Sequence, residues 1–201
     1  MCWNAEVSMQ SFLIGMGAIV VAAQYDMSFP VILFYSTIVF MQLIEYIIWT
    51  WGSDPDVNFY VSLAAMGLLY LQPLASLLTL PSHRMLYIGL YILVGIGYTV
   101  YHEMMRKIPM RDEFRMYPAA NGHLAWEWLN SSPKLLIYFV FLILPHLIVG
   151  KYNFPFFVLA MSTLAISVYS YSTSKTWGSM WCWMIDFLVI GACAQVVAKK
   201  I

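Results

Sequence analysis

The chain predicts an all-α, polytopic membrane protein with seven transmembrane helices, laid out as two parallel three-helix repeats around one linking helix (3+1+3). Three observations lead there. Hydrophobic residues make up 62% of the 201 positions and charged residues 10%, with a mean hydropathy of +0.74, far from the balance of water-soluble domains. Apolar runs recur with lengths near the roughly 20 residues that cross about 30 Å of hydrocarbon. The tetrapeptide Thr-Trp-Gly-Ser occurs twice, at 50–53 and at 176–179, each time after a long apolar run.

The first span lies near 8–25. No Lys or Arg precedes it and no small-x-small cleavage pattern follows it, so it reads as a retained helix rather than a signal peptide. The second, near 30–51, opens on Phe29-Pro30, where proline suits a first turn that does not need its missing N–H. The third, near 58–80, carries Gln72-Pro73, and the fourth runs near 84–103. Residues 104–133 are the one sizeable polar segment, read as a loop with a short interfacial helix, its Trp126, Glu127 and Trp128 forming a membrane-surface anchor. Asn130-Ser131-Ser132 within it matches a glycosylation acceptor that its nearness to the next helix should leave unused. The fifth and sixth spans, near 134–150 and 153–172, are parted only by Gly150-Lys151-Tyr152-Asn153, but 135–171 is too long for one crossing at about 1.5 Å per residue. The seventh lies near 178–198.

The repeat rests on register. Phe29-Pro30 and Phe154-Pro155 open the second and sixth spans, Ser36-Thr37 and Ser162-Thr163 follow, and each pair leads at the same distance into its copy of Thr-Trp-Gly-Ser. Each landmark also has a local reason, since Trp-Gly-Ser suits an interfacial belt and a turn. With spans one to three matched to spans five to seven, the fourth is the extra crossing that lets both triplets enter from one face.

That layout resembles the SWEET and PQ-loop superfamily of small seven-helix transporters, which implies a carrier working through the cleft between its repeats. Those families carry Pro-Gln or proline at equivalent places in both halves, whereas this chain has Gln72-Pro73 and Pro145 at non-equivalent ones. Separately, the opening MCWNAEVS, LIEYIIW and TWGSMWCW resemble an uncharacterised group of multi-pass proteins of large DNA viruses and some eukaryotes, which implies no activity.

The ten basic and ten acidic residues cancel and form no long run, which argues against a nucleic-acid partner or a polybasic lipid-binding tail. No GxSxG, HExxH or phosphate-binding glycine loop occurs, so the reading is against an enzyme, with no catalytic residues and no cofactor. Cys2, Cys182 and Cys193 read as apolar fillers, and His83, His102, His123 and His146 share no ligand spacing, so no metal site is expected. Basic residues divide six to four between the two faces; the positive-inside rule then favours a cytosolic N-terminus, while the SWEET resemblance implies the reverse.

Ionisable groups inside spans are costly and are the place to look for function. Glu45 in the second span and Asp186 in the seventh fall in the same half of the membrane and are expected to point into the bundle, near each other or near a shared polar cavity. Tyr46, Tyr98 and Tyr171 are candidate hydrogen-bond donors to them, and Gln72 and His146, beside prolines that free a carbonyl, complete the candidate binding set. Two classes remain: a small-solute, ion or proton transporter, or a non-transporting membrane protein that organises a bilayer, a virion membrane or a homo-oligomer. Lipid is the partner common to both.

Overall fold

A computed structural model describes residues 4–105, 109–130, 132–149 and 154–199, without the side chains at 96, 99, 103, 130, 132–134, 145, 146, 149 and 154. Helix α1 is Ala5–Ala23, started by the Asn4 side chain, which accepts the Val7 N–H at 2.8 Å. Helix α2 is Phe29–Trp51, with proline in its first turn. The Asp54 carboxylate caps α3, Pro55–Leu78, by accepting the N–H groups of Asp56 and Val57. Helix α4 is Arg84–Met104, α5 is the single turn Met110–Glu113, α6 is Ser132–Val149, α7 is Phe154–Tyr171 and α8 is Trp177–Ala198.

Five stretches among the described residues are long and apolar enough to cross a bilayer: Ala5–Ala23, Phe29–Trp51, Pro55–Leu78, Arg84–His102 and Trp177–Ala198. The chain is an integral, multi-pass membrane protein. Its large outward side chains are those a lipid surface accepts; Leu13, Leu86, Leu93 and Leu136 are all more than half exposed. The run read as the fifth and sixth spans is divided into α6 and α7, which have 18 residues each.

Packing closes a ring: α1 lies on α2, α2 on α3, α3 on α6, α6 narrowly on α7, α7 on α8, and α8 again on α1. Across the middle α2 also meets α8, while α4 stands outside against α3 and α6. Gly15 lets α1 approach α2 closely, since a β-carbon there would come within 2.8 Å of Val39 Cγ1.

The 104–133 loop is more ordered than a connecting segment need be. After α5, strands β1 (Met116–Pro118) and β2 (Leu124–Trp126) form an antiparallel hairpin, followed by a 3-10 turn at Glu127–Asn130. Gly122, with φ +78°, makes the reversal. Trp126 and Trp128 differ from the expected surface anchor. They are buried and stacked at 5.6 Å, because the loop turns inward and plugs the end of the bundle rather than lying on the lipid surface.

The two Thr-Trp-Gly-Ser segments sit at this same end but do opposite work. The first closes α2, with Gly52 as the residue after its last turn. The second opens α8, with Thr176 before its first turn. The flanks decide this: Asp54-Pro55 start a new helix after the first copy, whereas Ser172 to Lys175 make the turn before the second, Lys175 taking φ +59°. The hairpin ties both turns together. The Asn58 amide donates to Gly52 O and Met116 O, at 2.9 and 2.7 Å, on one side; on the other, Trp126 N–H donates to Lys175 O and Asn121 donates to Thr176 Oγ1. Met116 and Trp126 are partners in the strand register.

Candidate functional site: a buried acidic pair between two helices

Where α2 crosses α8, each helix presents a polar stripe at the i, i+3, i+7 spacing that keeps side chains on one face. On α2 the stripe is Gln42, Glu45 and Trp49; on α8 it is Ser179, Cys182 and Asp186. Glu45 is 0% exposed and Asp186 1%, so neither carboxyl reaches lipid or water. They lie within electrostatic reach of each other, and Cys182 lies within reach of both. Neither carboxylate oxygen of Asp186 has a hydrogen-bond partner among the described residues, and the Ser179 hydroxyl and Trp49 indole N–H are in the same position.

The sequence places no Lys or Arg between the first and last turns of the long helices, so no lysine or arginine neutralises the pair from within the bundle. Two ionised carboxyls at close quarters in a dry interior are prohibitively costly. Protonation of one acid removes that cost. Among the described residues, no three His, Cys, Asp or Glu side chains converge as metal ligands.

Three spaces lie around α2 and α8, none of them with Glu45 or Asp186 in its lining. A cleft of about 540 Å³ lies between the end of α2 and the hairpin, lined by Trp49, Thr50, Asn58, Arg115 and Tyr117; its floor, Trp49, is one helical turn from Glu45. A largely apolar cavity of about 50 Å³ lies under the hairpin between α3, α6 and α8, walled by Leu69, Trp126, Trp128, Tyr138, Trp181 and Cys182. A narrower one, about 20 Å³, continues toward the far end along Phe34, Gln72 and Phe157. The last two share Tyr138, Trp181 and Cys182 as their dividing wall.

The other candidate residues take separate places. Gln72 is buried as a staple between three helices: its amide donates to Thr37 O on α2 at 3.1 Å, and its carbonyl accepts the Tyr138 hydroxyl from α6. Tyr46 sets its ring edge-on to Trp51 at the end of α2. Tyr98 lies on the outer helix α4, 5.9 Å from the His102 ring. Tyr171 closes α7 against His123 of the hairpin at 5.6 Å. The side chain of His146, like Cys2, Asn130 and Lys151, lies outside the described residues.

Outside the membrane the hairpin carries its own electrostatics. Lys175 bonds Glu127 at 2.7 Å and holds that carboxyl below its ordinary value, while Glu127 raises Lys175 and, through a 2.9 Å bond, Tyr117. Burial lowers His123.

Cys182 and Ser179 were not singled out from sequence as part of a site, though their spacing from Asp186 along one helical face is legible there. The burial of Trp126 and Trp128 has no such signal, because it depends on where the loop folds back. No protein family, curated protein or solved structure matches the chain.

Proposed function

We propose that this is a small proton-linked membrane carrier in which Glu45 and Asp186 together hold and release the proton. The observation that carries the reading is Asp186: buried, without a hydrogen-bond partner among the described residues, within electrostatic reach of Glu45, in a bundle whose long helices carry no lysine or arginine between their first and last turns. A shared proton removes the charge that the interior does not tolerate. The cleft lined by Trp49 ends one helical turn short of Glu45, so the proton's passage to the pair requires Trp49 to move.

In this reading α6 and α7 cross the membrane with the five longer helices, for seven spans, and α4 links two parallel triplets. In support, exchanging the triplets turns the α1–α8 contact into the α6–α3 contact, and both are made. The correspondence is one of helices, not of residues, since the two Thr-Trp-Gly-Ser segments cap opposite helix ends.

Purified protein in liposomes containing a pH-sensitive dye should move protons under an imposed potential. Glu45→Gln and Asp186→Asn should stop the flux while leaving the protein monodisperse. Flux equal to that of empty liposomes, or unchanged in both variants, overturns the reading and leaves a structural role in its place.

A further inference from the structure

We infer that the cleft between the end of α2 and the hairpin holds the phosphate of an anionic glycerophospholipid, with the Arg115 guanidinium as its counter-charge. The inference goes beyond the acidic pair and does not depend on it.

The cleft has the size of a ligand site. Its volume of about 540 Å³ falls within the roughly 300–1,000 Å³ of small-molecule pockets, far above the two apolar cavities. What its lining leaves uncommitted are hydrogen-bond donors. Asn58 gives its amide to Gly52 O and Met116 O, the Thr50 hydroxyl donates to Tyr46 O, and the Tyr117 hydroxyl donates to Glu127. Among the described residues, neither the exposed Arg115 side chain nor the Ser53 hydroxyl makes a hydrogen bond or an ion pair, and both line the cleft.

No Asp or Glu shares that lining. Of the carboxylates on the surrounding elements, Asp54 caps α3, Asp56 pairs with Arg111 at 2.7 Å, Glu113 lies 3.7 Å from His102, and Glu127 takes Lys175 and Tyr117. Asp112 is exposed on α5, outside the lining. A guanidinium beside a free hydroxyl, with no acid in the wall to neutralise it, is a site for an anion. Its planar fork matches two oxygens of a phosphate.

Depth names the source of that phosphate. The cleft adjoins the last turn of a 23-residue span beside Trp51, which is 50% exposed and of the type that gathers at the headgroup level. The phosphodiesters of a bilayer lie at that level. Ile48, Trp49 and Pro118 add an apolar wall that suits the glycerol and the first methylenes. With no carboxylate in the lining to receive the ammonium of a choline or ethanolamine, the site favours a headgroup that carries no cation.

Full-length protein in detergent, titrated with phosphatidylglycerol, phosphatidylcholine, diacylglycerol of the same chains or glycerol 3-phosphate, tests this through its melting temperature. Phosphatidylglycerol should give a saturable rise, phosphatidylcholine should need more lipid for it, and the other two should give none at the same concentrations. Arg115→Gln should raise the half-saturating phosphatidylglycerol concentration by about tenfold or more, since charge-assisted hydrogen bonds are lost. Arg115→Lys should restore part of the response, and Arg111→Gln, in an arginine already engaged by Asp56, should leave it unchanged. The lipid comparison uses the wild-type protein, so it stands even if a variant fails to fold. An equal rise with diacylglycerol, or an equal loss in Arg111→Gln, overturns the phosphate site. An equal response to phosphatidylcholine overturns the anionic headgroup, and protection by glycerol 3-phosphate alone overturns the lipid as the source.

Discussion

Trp126 of the hairpin occupies the space that a β-carbon on Gly178 would need: such a carbon would stand 3.0 Å from Trp126 Cε3, and Leu129 presses on the same point. The glycine of the second Thr-Trp-Gly-Ser segment is therefore the floor on which the hairpin rests.

Gly178→Ala should destabilise the protein by about 1–3 kcal/mol through overpacking, seen as a lower melting temperature in detergent and faster proteolysis between 116 and 126. Gly191, in the same helix with nothing within 4 Å of its would-be β-carbon, is the control. Gly191→Ala should be neutral or stabilising, because alanine favours the helix by up to about 1 kcal/mol. Equal effects of the two substitutions would refute the close approach.

Tyr138→Phe removes the donor to the buried Gln72 carbonyl. Side-chain hydrogen bonds between membrane helices contribute roughly 0.6 kcal/mol on average and up to about 1.7, and the Gln72 link joins α3 to both α2 and α6. The expected loss lies toward the upper figure. A double-mutant cycle with Gln72→Leu should show coupling; additivity within error would mean that the two do not act together.

The Lys175–Glu127 bridge sets a pH window for hairpin docking. The Glu127 carboxyl is held below its ordinary 4.5, so its contribution is complete above that value and fades as the pH falls through the lower folded one. Lys175 is held above its ordinary 10.5, so its contribution is complete below that value and fades as the pH rises through the higher folded one. Both side chains are substantially exposed, so the effect is small and screened by salt. Lys175→Ala should speed proteolysis of the hairpin slightly in dilute buffer and not at all in high salt.

His123 acts in the opposite sense to a salt-bridged histidine. Burial lowers its proton affinity below the ordinary 6.5, so docking is strongest above that value and weakens as the pH falls through the lower folded one, when the ring must charge while enclosed. Acidification from about pH 7.5 to about pH 5 should loosen the hairpin, read by its protease sensitivity. His123→Phe keeps a ring against Tyr171 and should remove the dependence; a persistent one would place the sensor elsewhere.

How much of this was legible beforehand follows from range. The membrane class and most helix limits follow from runs of apolar residues, a signal that each segment carries by itself. The acids at Glu45 and Asp186 stood out because ionisable residues within spans are rare. That they would lie near each other was an expectation from matching depth alone; the contact itself depends on α2 crossing α8, between segments far apart in sequence. The hairpin escaped for a similar reason: its strands have three residues each, too few to display a period, and its two buried tryptophans are chemically the same as interfacial ones. The repeated tetrapeptide misled about register because the same four residues end one helix and begin another, according to the residues beside them.

Because the hairpin bonds to the α2–α3 turn through Asn58 and to the α7–α8 turn through Lys175 and Thr176, its end of the bundle is clasped. The helices on either side of the acidic pair cannot part at the clasped end without first breaking a network of hydrogen bonds. The loop that began as a linker in the sequence thus behaves as a buckle, and resistance to parting at that end falls on the few residues that fasten it.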